Sequence, residues 1–216
     1  MKIMSFNVSW CSQEKIDWLI SHAGVDIFVV PECAKNIAVP DDFNFFWIGN
    51  YDKKGLGILS RKRCRGELPV WYDKNLHYAI PLIVDEKYFL LAVWPTKLRP
   101  ADSYMEKCFQ ILNCYESKIS LFQTMIIGDF NIDSCRKNAK FLFEWMHNHK
   151  LESIYHIFRN EKLGNENQPT YYHQYKENAG YFIDYAFSNF EVKDYKLFDW
   201  NETNRMSDHV PQKVEI

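Results

Sequence analysis

The sequence is poor in residues that break structure: eight glycines and eight prolines are spread over 216 residues, with no low-complexity tract and no internal repeat. That argues against a flexible linker or a repeat array, and a single domain over residues 1–216 is the expectation. It also has little net charge, −2, and so no global field of the kind that holds a polyanion. No apolar run approaches the ~20 residues that cross a bilayer. In the opening stretch MKIMSFNVSW polar residues interrupt the apolar ones, unlike a secretory leader. The six cysteines, Cys11, Cys33, Cys64, Cys108, Cys114 and Cys135, form no CxxC pair and no zinc-ligand spacing. They are expected to be reduced thiols in a cytoplasmic protein with no membrane partner.

What is abundant is core material. Hydrophobic residues make up 47% and aromatic residues 17%, ample for a packed interior. Short β-type runs alternate with helical ones. The runs 2–8, 25–30, 56–59, 88–94, 124–127, 181–187 and 210–216 are dense in β-branched or aromatic residues and bounded by turn formers. Between them, Ser12 can cap a helix carrying Ile16, Leu19 and Ile20 on one face, and Asp102 can cap a second with Met105, Phe109, Leu112 and Ile119. A third helix is expected over about 135–149, with Leu142, Trp145 and Met146 inward, and 161–168 reads as a loop. Strands interleaved with helices give an α/β or α+β class.

Most of these runs end in a polar residue, and strand ends are where α/β folds build sites. The first leads to Asn7, the second to Pro31 and Glu32, and the fifth to Gly128 and Asp129. Each has a plain structural reading. Asp129-Phe130-Asn131 could be a turn, Glu32 an exposed strand end, Asp208-His209 a surface pair, and Arg61, Lys62, Arg63 and Arg65 either a solvated turn or a patch that steers phosphate. Asp184 is different. It interrupts the apolar run Tyr181–Phe187, and a carboxylate buried there needs a donor, which His209 can supply through one ring nitrogen. Carboxylates, amides and a histidine together suit a hard cation and a phosphate.

In order along the chain, these pieces resemble the endonuclease/exonuclease/phosphatase superfamily, the DNase-I-like proteins, and in particular its compact bacterial-type members. The blocks are Phe6-Asn7-Val8, Val30-Pro31-Glu32, Gly55-Leu56-Gly57-Ile58-Leu59-Ser60, Gly128-Asp129-Phe130-Asn131, Pro169-Thr170-Tyr171, Ile183-Asp184-Tyr185 and Ser207-Asp208-His209-Val210-Pro211. The resemblance runs from about residue 2 to the C-terminus. It implies a four-layer sandwich of two mostly antiparallel sheets flanked by helices, and a monomer that hydrolyses phosphoesters with Mg2+ or Mn2+.

The resemblance also implies roles. Glu32, Asn7 and Asp208 would hold the metal. Asp129 would orient or deprotonate water, Asn131 would donate to a phosphoryl oxygen, and Asp184 would fix His209 against the scissile phosphate. Ser60, Tyr171 and Trp94 would meet the substrate. Two positions depart from the family: Val93 or Trp94 stands where many members carry His or Tyr, and Phe182 replaces a usual basic residue. Nucleic acid is the first expectation for the substrate. The alternatives are a small-molecule or lipid-headgroup phosphate, and a binding domain that keeps the fold without catalysis.

Overall fold

The computed structural model describes residues 1–22, 24–76 and 78–216. β1 (Lys2–Ser5) leads into α1 (Gln13–Ile20), and β2 (Ile27–Cys33), β3 (Phe43–Tyr51) and β4 (Lys54–Arg61) follow. After a two-residue β5 (Gly66–Glu67) come β6 (Ala79–Val84), β7 (Tyr88–Val93), α2 (Tyr104–Ile119), β8 (Gln123–Asp129) and α3 (Lys137–Asn148). Next are β9 (Glu152–Ser153), α4 (Ile154–Arg159), a small pair β10 (Tyr171–Tyr172) and β11 (Gly180–Tyr181), then β12 (Asp184–Ser188), β13 (Asp194–Leu197) and β14 (Gln212–Glu215).

Two six-stranded sheets result. Their orders are β13-β14-β1-β2-β4-β3 and β5-β6-β7-β8-β12-β9. Each contains one parallel pair, β1 with β2 and β7 with β8, and is otherwise antiparallel. The apolar runs are continuous because both faces of the central strands are covered. Ile3, Ile27 and Val29 point into the core shared with the second sheet, whereas Met4, Phe28 and Val30 point to the outer cluster under Ile16 and Leu19 of α1. On the other side, Leu112 of α2 and Leu142 of α3 close the core over Leu91, Ile126 and Phe187. The layers are thus helix, sheet, sheet, helix, as the resemblance implies.

Local signals held unevenly. Ser12 caps α1, and α3 buries Leu142 and Met146, while Trp145 is only half-buried. α2 begins behind Ser103 instead of Asp102, whose carboxylate accepts from the Leu98 and Arg99 amides in the preceding turn. The expected strand over 181–187 is split. Ile183 N–H donates to Thr170 Oγ1, and the Phe182 and Ile183 carbonyls accept from Ser134 and Phe130. These bonds keep both residues out of the ladder, so β12 starts at Asp184. The basic run lies at the edge away from the strand ends described below. There Arg61 pairs with Asp42, Arg63 with the nearly buried Asp26, and Arg65 with Asp85. Three of its four charges are thus matched within the fold.

Close approach fixes Gly128 most tightly. Gly128 faces Val93 across the parallel pair at φ +151°, and a Cβ there would lie 1.9 Å from the Val93 carbonyl oxygen. Gly128→Ala is therefore expected to cost about 3 kcal/mol or more, from strain and overpacking combined. Urea unfolding checks this, and an unchanged midpoint would contradict the register of β7 on β8.

Candidate active site

Strand direction alone brings the polar ends together. β1 and β2 run parallel, so Asn7 and Glu32 leave at the same end of the first sheet. β14 returns antiparallel to β1 with Gln212 opposite Ser5, which puts Asp208 and His209 at that end too. In the second sheet, β8 ends at Asp129, and antiparallel β12 begins with Asp184 directly opposite it. The two ends face each other, and side chains bridge them.

Two hydrogen bonds form the bridge. Asn7 Nδ2 donates to Asp129 Oδ2 at 2.9 Å, and the ring Nδ1–H of His209 donates to Asp184 Oδ2 at 2.9 Å. The second is the donor that a buried Asp184 requires. All four residues are buried, with Asp129 1% and Asp184 3% exposed. Asp129 is further held by the Asn131 backbone N–H at 2.9 Å and the Asn131 amide at 3.1 Å. His209 Nε2 stands 4.0 Å from Asp129 Oδ2, beyond hydrogen-bond range, so this nitrogen is not committed to the carboxylate.

The two carboxylates act on each other. Burial disfavours the Asp129 anion, and the Asp184 charge opposite adds to this. Together they push Asp129 up to about 7 despite the donors around it. For His209, burial works against the charged ring, but the Asp184 charge and hydrogen bond outweigh it, with Asp129 and Asp208 adding, and hold the ring up at about 9. Near neutral pH His209 is an imidazolium.

Around this centre, several residues set position. Thr170 Oγ1 accepts from both Ile183 N–H and Asp184 N–H at 3.0 Å, and the Thr170 carbonyl accepts from Val210 N–H at 2.9 Å. One residue thereby fixes the backbones of both members of the Asp184–His209 pair. Ser207 donates to the Asn7 carbonyl at 2.7 Å and accepts from the His209 N–H at 3.1 Å. Tyr171 lays its ring 4.7 Å from the His209 ring, and its hydroxyl shares a 3.0 Å hydrogen bond with His173 Nδ1. Burial, then the charges of Asp208, Asp129 and Glu32, keep the Tyr171 phenol up at about 12, so those carboxylates share one field. Tyr104, at the start of α2, also has its phenol raised by burial, Asp129 and Glu32, and it borders a cleft of about 320 Å³ beside Asn131 that Lys97 and Arg136 also line.

Glu32 sits where β2 bulges between Pro31 and Cys33, at φ 62°, a conformation that re-aims a side chain at a strand end. Its Oε2 accepts from Lys54 Nζ at 3.0 Å. Lys54 arrives there because β4 begins at this end of the sheet. For the same reason Ser60 does not belong to the site. β4 runs away from Glu32, and Ser60 pairs with Ile27 at the far end of β2, fully buried, its Oγ without a hydrogen-bond partner among the described residues. Trp94 follows β7 at the correct end but is 3% exposed, edge-on to Tyr78 at 4.8 Å, so it is a wall of the site and not a contact surface. Asn131 also differs from expectation. Its amide hydrogens are directed at Asp129 and at the Pro95 carbonyl, 3.2 Å away, so it positions Asp129 instead of offering a donor outward.

The donor set fits a hard divalent cation. Asp129, Asp184 and His209 bring donor atoms within 4.8 Å of one another, but His209 Nδ1 and Asp184 are spent on each other, so this trio marks the charged centre beside which a cation would sit. Beside them, Asp208 Oδ1 is buried without a hydrogen-bond partner among the described residues. A carboxyl oxygen buried without a donor suits an oxygen-seeking ion. Thr170, Ser207, Lys54 and Tyr104 carry no sequence signal of their own beyond the Pro-Thr-aromatic and Ser-Asp-His blocks, because register alone brings them here.

In the metal-free protein, the His209 ring is expected to titrate near pH 9 by nitrogen-edited NMR, and Asp184→Asn to bring it down past the ordinary value of about 6.5. The folded value lies above the unfolded one. The pair's contribution to stability is therefore complete below about pH 6.5 and is lost as the pH rises towards 9. A wild-type ring that titrates below 6.5 would contradict the pairing.

No protein-family model and no curated protein matches the sequence. Solved structures do match. The chain aligns with the 3′ phosphatase NExo from Neisseria bound to a product DNA hairpin, at TM-score 0.74 and 17% identity, covering 100% of this chain and 99% of that one. It aligns also with the 3′-5′ exonuclease NExo from Neisseria meningitidis, at TM-score 0.72 and 19% identity, with 100% and 99% covered. Over its whole length, the chain has the DNase-I-like fold that its sequence blocks imply.

Proposed function

We propose that this protein is a divalent-metal-dependent phosphoesterase acting on nucleic acid, a nuclease or 3′ phosphatase. The observation that carries the reading is the buried cluster in which Asp184 holds His209 while Asn7 and Asn131 hold Asp129. The NExo structures, one bound to a DNA hairpin product, support nucleic acid as the substrate class.

Hydrolysis of a phosphoester needs the developing phosphoryl charge to be met, a water to be oriented and deprotonated, and a leaving oxygen to be stabilised. The cation, when bound, supplies charge neutralisation at the phosphoryl group. Glu32 and Asp208 are the residues that would hold it, whereas Asn7, expected beside them, has its amide N–H on Asp129 and its Oδ1 accepting from the Ser9 N–H, and so positions Asp129. His209 meets phosphoryl charge as an imidazolium, its Nε2–H free of Asp129 and its orientation fixed by Asp184. Asp129 is the base. Two amides aim its carboxylate, and its value near 7 suits proton transfer at neutral pH. Tyr171, neutral at this pH, packs beside the imidazolium and presents a hydroxyl at the rim. Lys97 and Arg136 border the cleft beyond Asn131 together with Asp102 and Asp133, and because Arg136 pairs with Asp133, Lys97 is the cation placed there to meet a flanking phosphate.

The test is a metal-supplemented assay on DNA hairpins ending in a 3′-phosphate or a 3′-hydroxyl, with inositol phosphates in parallel. Release of orthophosphate or mononucleotide from DNA, abolished by EDTA, is expected. His209→Ala and Asp129→Asn should each lower kcat on the order of 10²-fold or more without loss of fold by circular dichroism. Turnover of inositol phosphates alone would move the substrate to small phosphoesters. No turnover of either class would leave a binding domain.

A further inference from the structure

Trp10 stands three residues beyond Asn7, in the loop between β1 and α1. Of the seven tryptophans, all of them described residues, it alone is exposed, at 80%. Its neighbours Ser9, Cys11 and Ser12 supply no apolar patch to accompany it, so it does not read as part of a protein-docking surface.

The loop is nevertheless held. Ser9 and Trp10 adopt φ 38° and 60°, conformations unfavourable for these residues. Lys15 from α1 reaches back and donates to the carbonyls of Val8 at 2.6 Å, of Ser9, and of Trp10 at 3.2 Å. An exposed indole is thus carried on backbone that one ammonium fixes from beneath.

Trp10 is also tied to the site. Lys54 Nζ lies 5.7 Å from the Trp10 ring centroid, 5.5 Å from that of buried Trp94, and 3.0 Å from Glu32 Oε2. One ammonium therefore spans the carboxylate at the strand end and the exposed aromatic face at the rim. An aromatic face next to a cation, beside a phosphate-handling centre, is how single-stranded nucleic acid is gripped without sequence preference: the base stacks and the cation meets its phosphate.

We propose that Trp10 and Lys54 form a subsite for one unpaired nucleotide next to the scissile phosphate, Trp10 stacking the base and Lys54 meeting the backbone. The proposal rests on the phosphoesterase reading and narrows its substrate to strands with an unpaired or frayed base at that position. Trp10 is a specificity-determining residue here and plays no part in bond cleavage.

Binding of a labelled oligothymidylate, and of the same strand built with abasic residues, is measured by fluorescence anisotropy in EDTA, which stops turnover. Trp10→Ala should weaken oligothymidylate binding roughly tenfold, Trp10→Tyr should restore most of it, and the abasic strand should bind wild type and Trp10→Ala alike. Equal affinities for oligothymidylate, or the same loss on the abasic strand, would overturn the subsite. A wild-type protein that hydrolyses a base-free phosphodiester but binds oligonucleotide independently of Trp10 keeps the phosphoesterase reading and loses this one. Trp10-dependent, base-dependent binding by a protein that hydrolyses nothing does the reverse.

Discussion

Two carboxylates face each other across a pair of hydrogen-bonded antiparallel strands, Asp129 opposite Asp184, both almost fully buried. Like charges placed so are unfavourable in a low-dielectric interior unless each has its own donors. Here the donors come from the other sheet: His209 for Asp184, Asn7 for Asp129. Satisfying the pair therefore requires the two sheets to meet at one end in one register. Thr170 and Ser207 fix the backbones that carry these donors and acceptors. What would be a defect in a purely structural core is the arrangement that raises Asp129 and charges His209, and those two states suit a base and a phosphate-binding cation.

The architecture separates chemistry from scaffolding by strand direction. One parallel pair in each sheet sends two strand ends the same way, and the antiparallel neighbours β4, β12 and β14 begin where those ends arrive. Lys54, Asp184 and His209 are thereby delivered by the starts of strands, and Asn7, Glu32 and Asp129 by their ends. The opposite edge holds the self-contained pairs of Arg61, Arg63 and Arg65, where the densest basic segment of the sequence is spent on Asp42, Asp26 and Asp85. A chain of net charge −2 thus brings few cations to the site, Lys54, Lys97 and Arg136, and two of these are shared with carboxylates, Lys54 with Glu32 and Arg136 with Asp133.

Much of the centre was legible in the sequence because its residues sit in short contiguous blocks. Gly128–Asn131, Ile183–Tyr185 and Ser207–Pro211 each combine a turn former, a charged group and a strand boundary, and a carboxylate inside an apolar run signals that it needs a partner. Ser60 shows where such reading fails. It too ends an apolar run after glycines, but the polarity of β4 relative to β2 sends it to the far end, and no local pattern encodes that direction. Trp94 lies at the correct end yet turns inward onto Tyr78. Thr170, Lys54 and Lys15 act through partners 13 or 14, 22 and up to 7 residues away, distances at which pairing is set by tertiary register. Strands β3 and β13 and helix α4 are mixed-polarity or short, and β6, although apolar throughout, carries Pro81 in its middle, which speaks against a strand; all four owe their form to their neighbours.

The central claim is that Glu32 and Asp208, beside the crowded Asp129–Asp184 pair, are set to receive a divalent cation. Calorimetric titration of Mn2+ at pH 7, in buffers of different ionisation enthalpy, measures this directly, because a cation entering beside a partly protonated Asp129 expels a proton. Binding with net proton release is predicted for the wild type. The release should vanish in Asp129→Asn, and affinity should fall in Glu32→Gln and Asp208→Asn. Undiminished affinity in both of the last two variants, or no binding by the wild type, would contradict it.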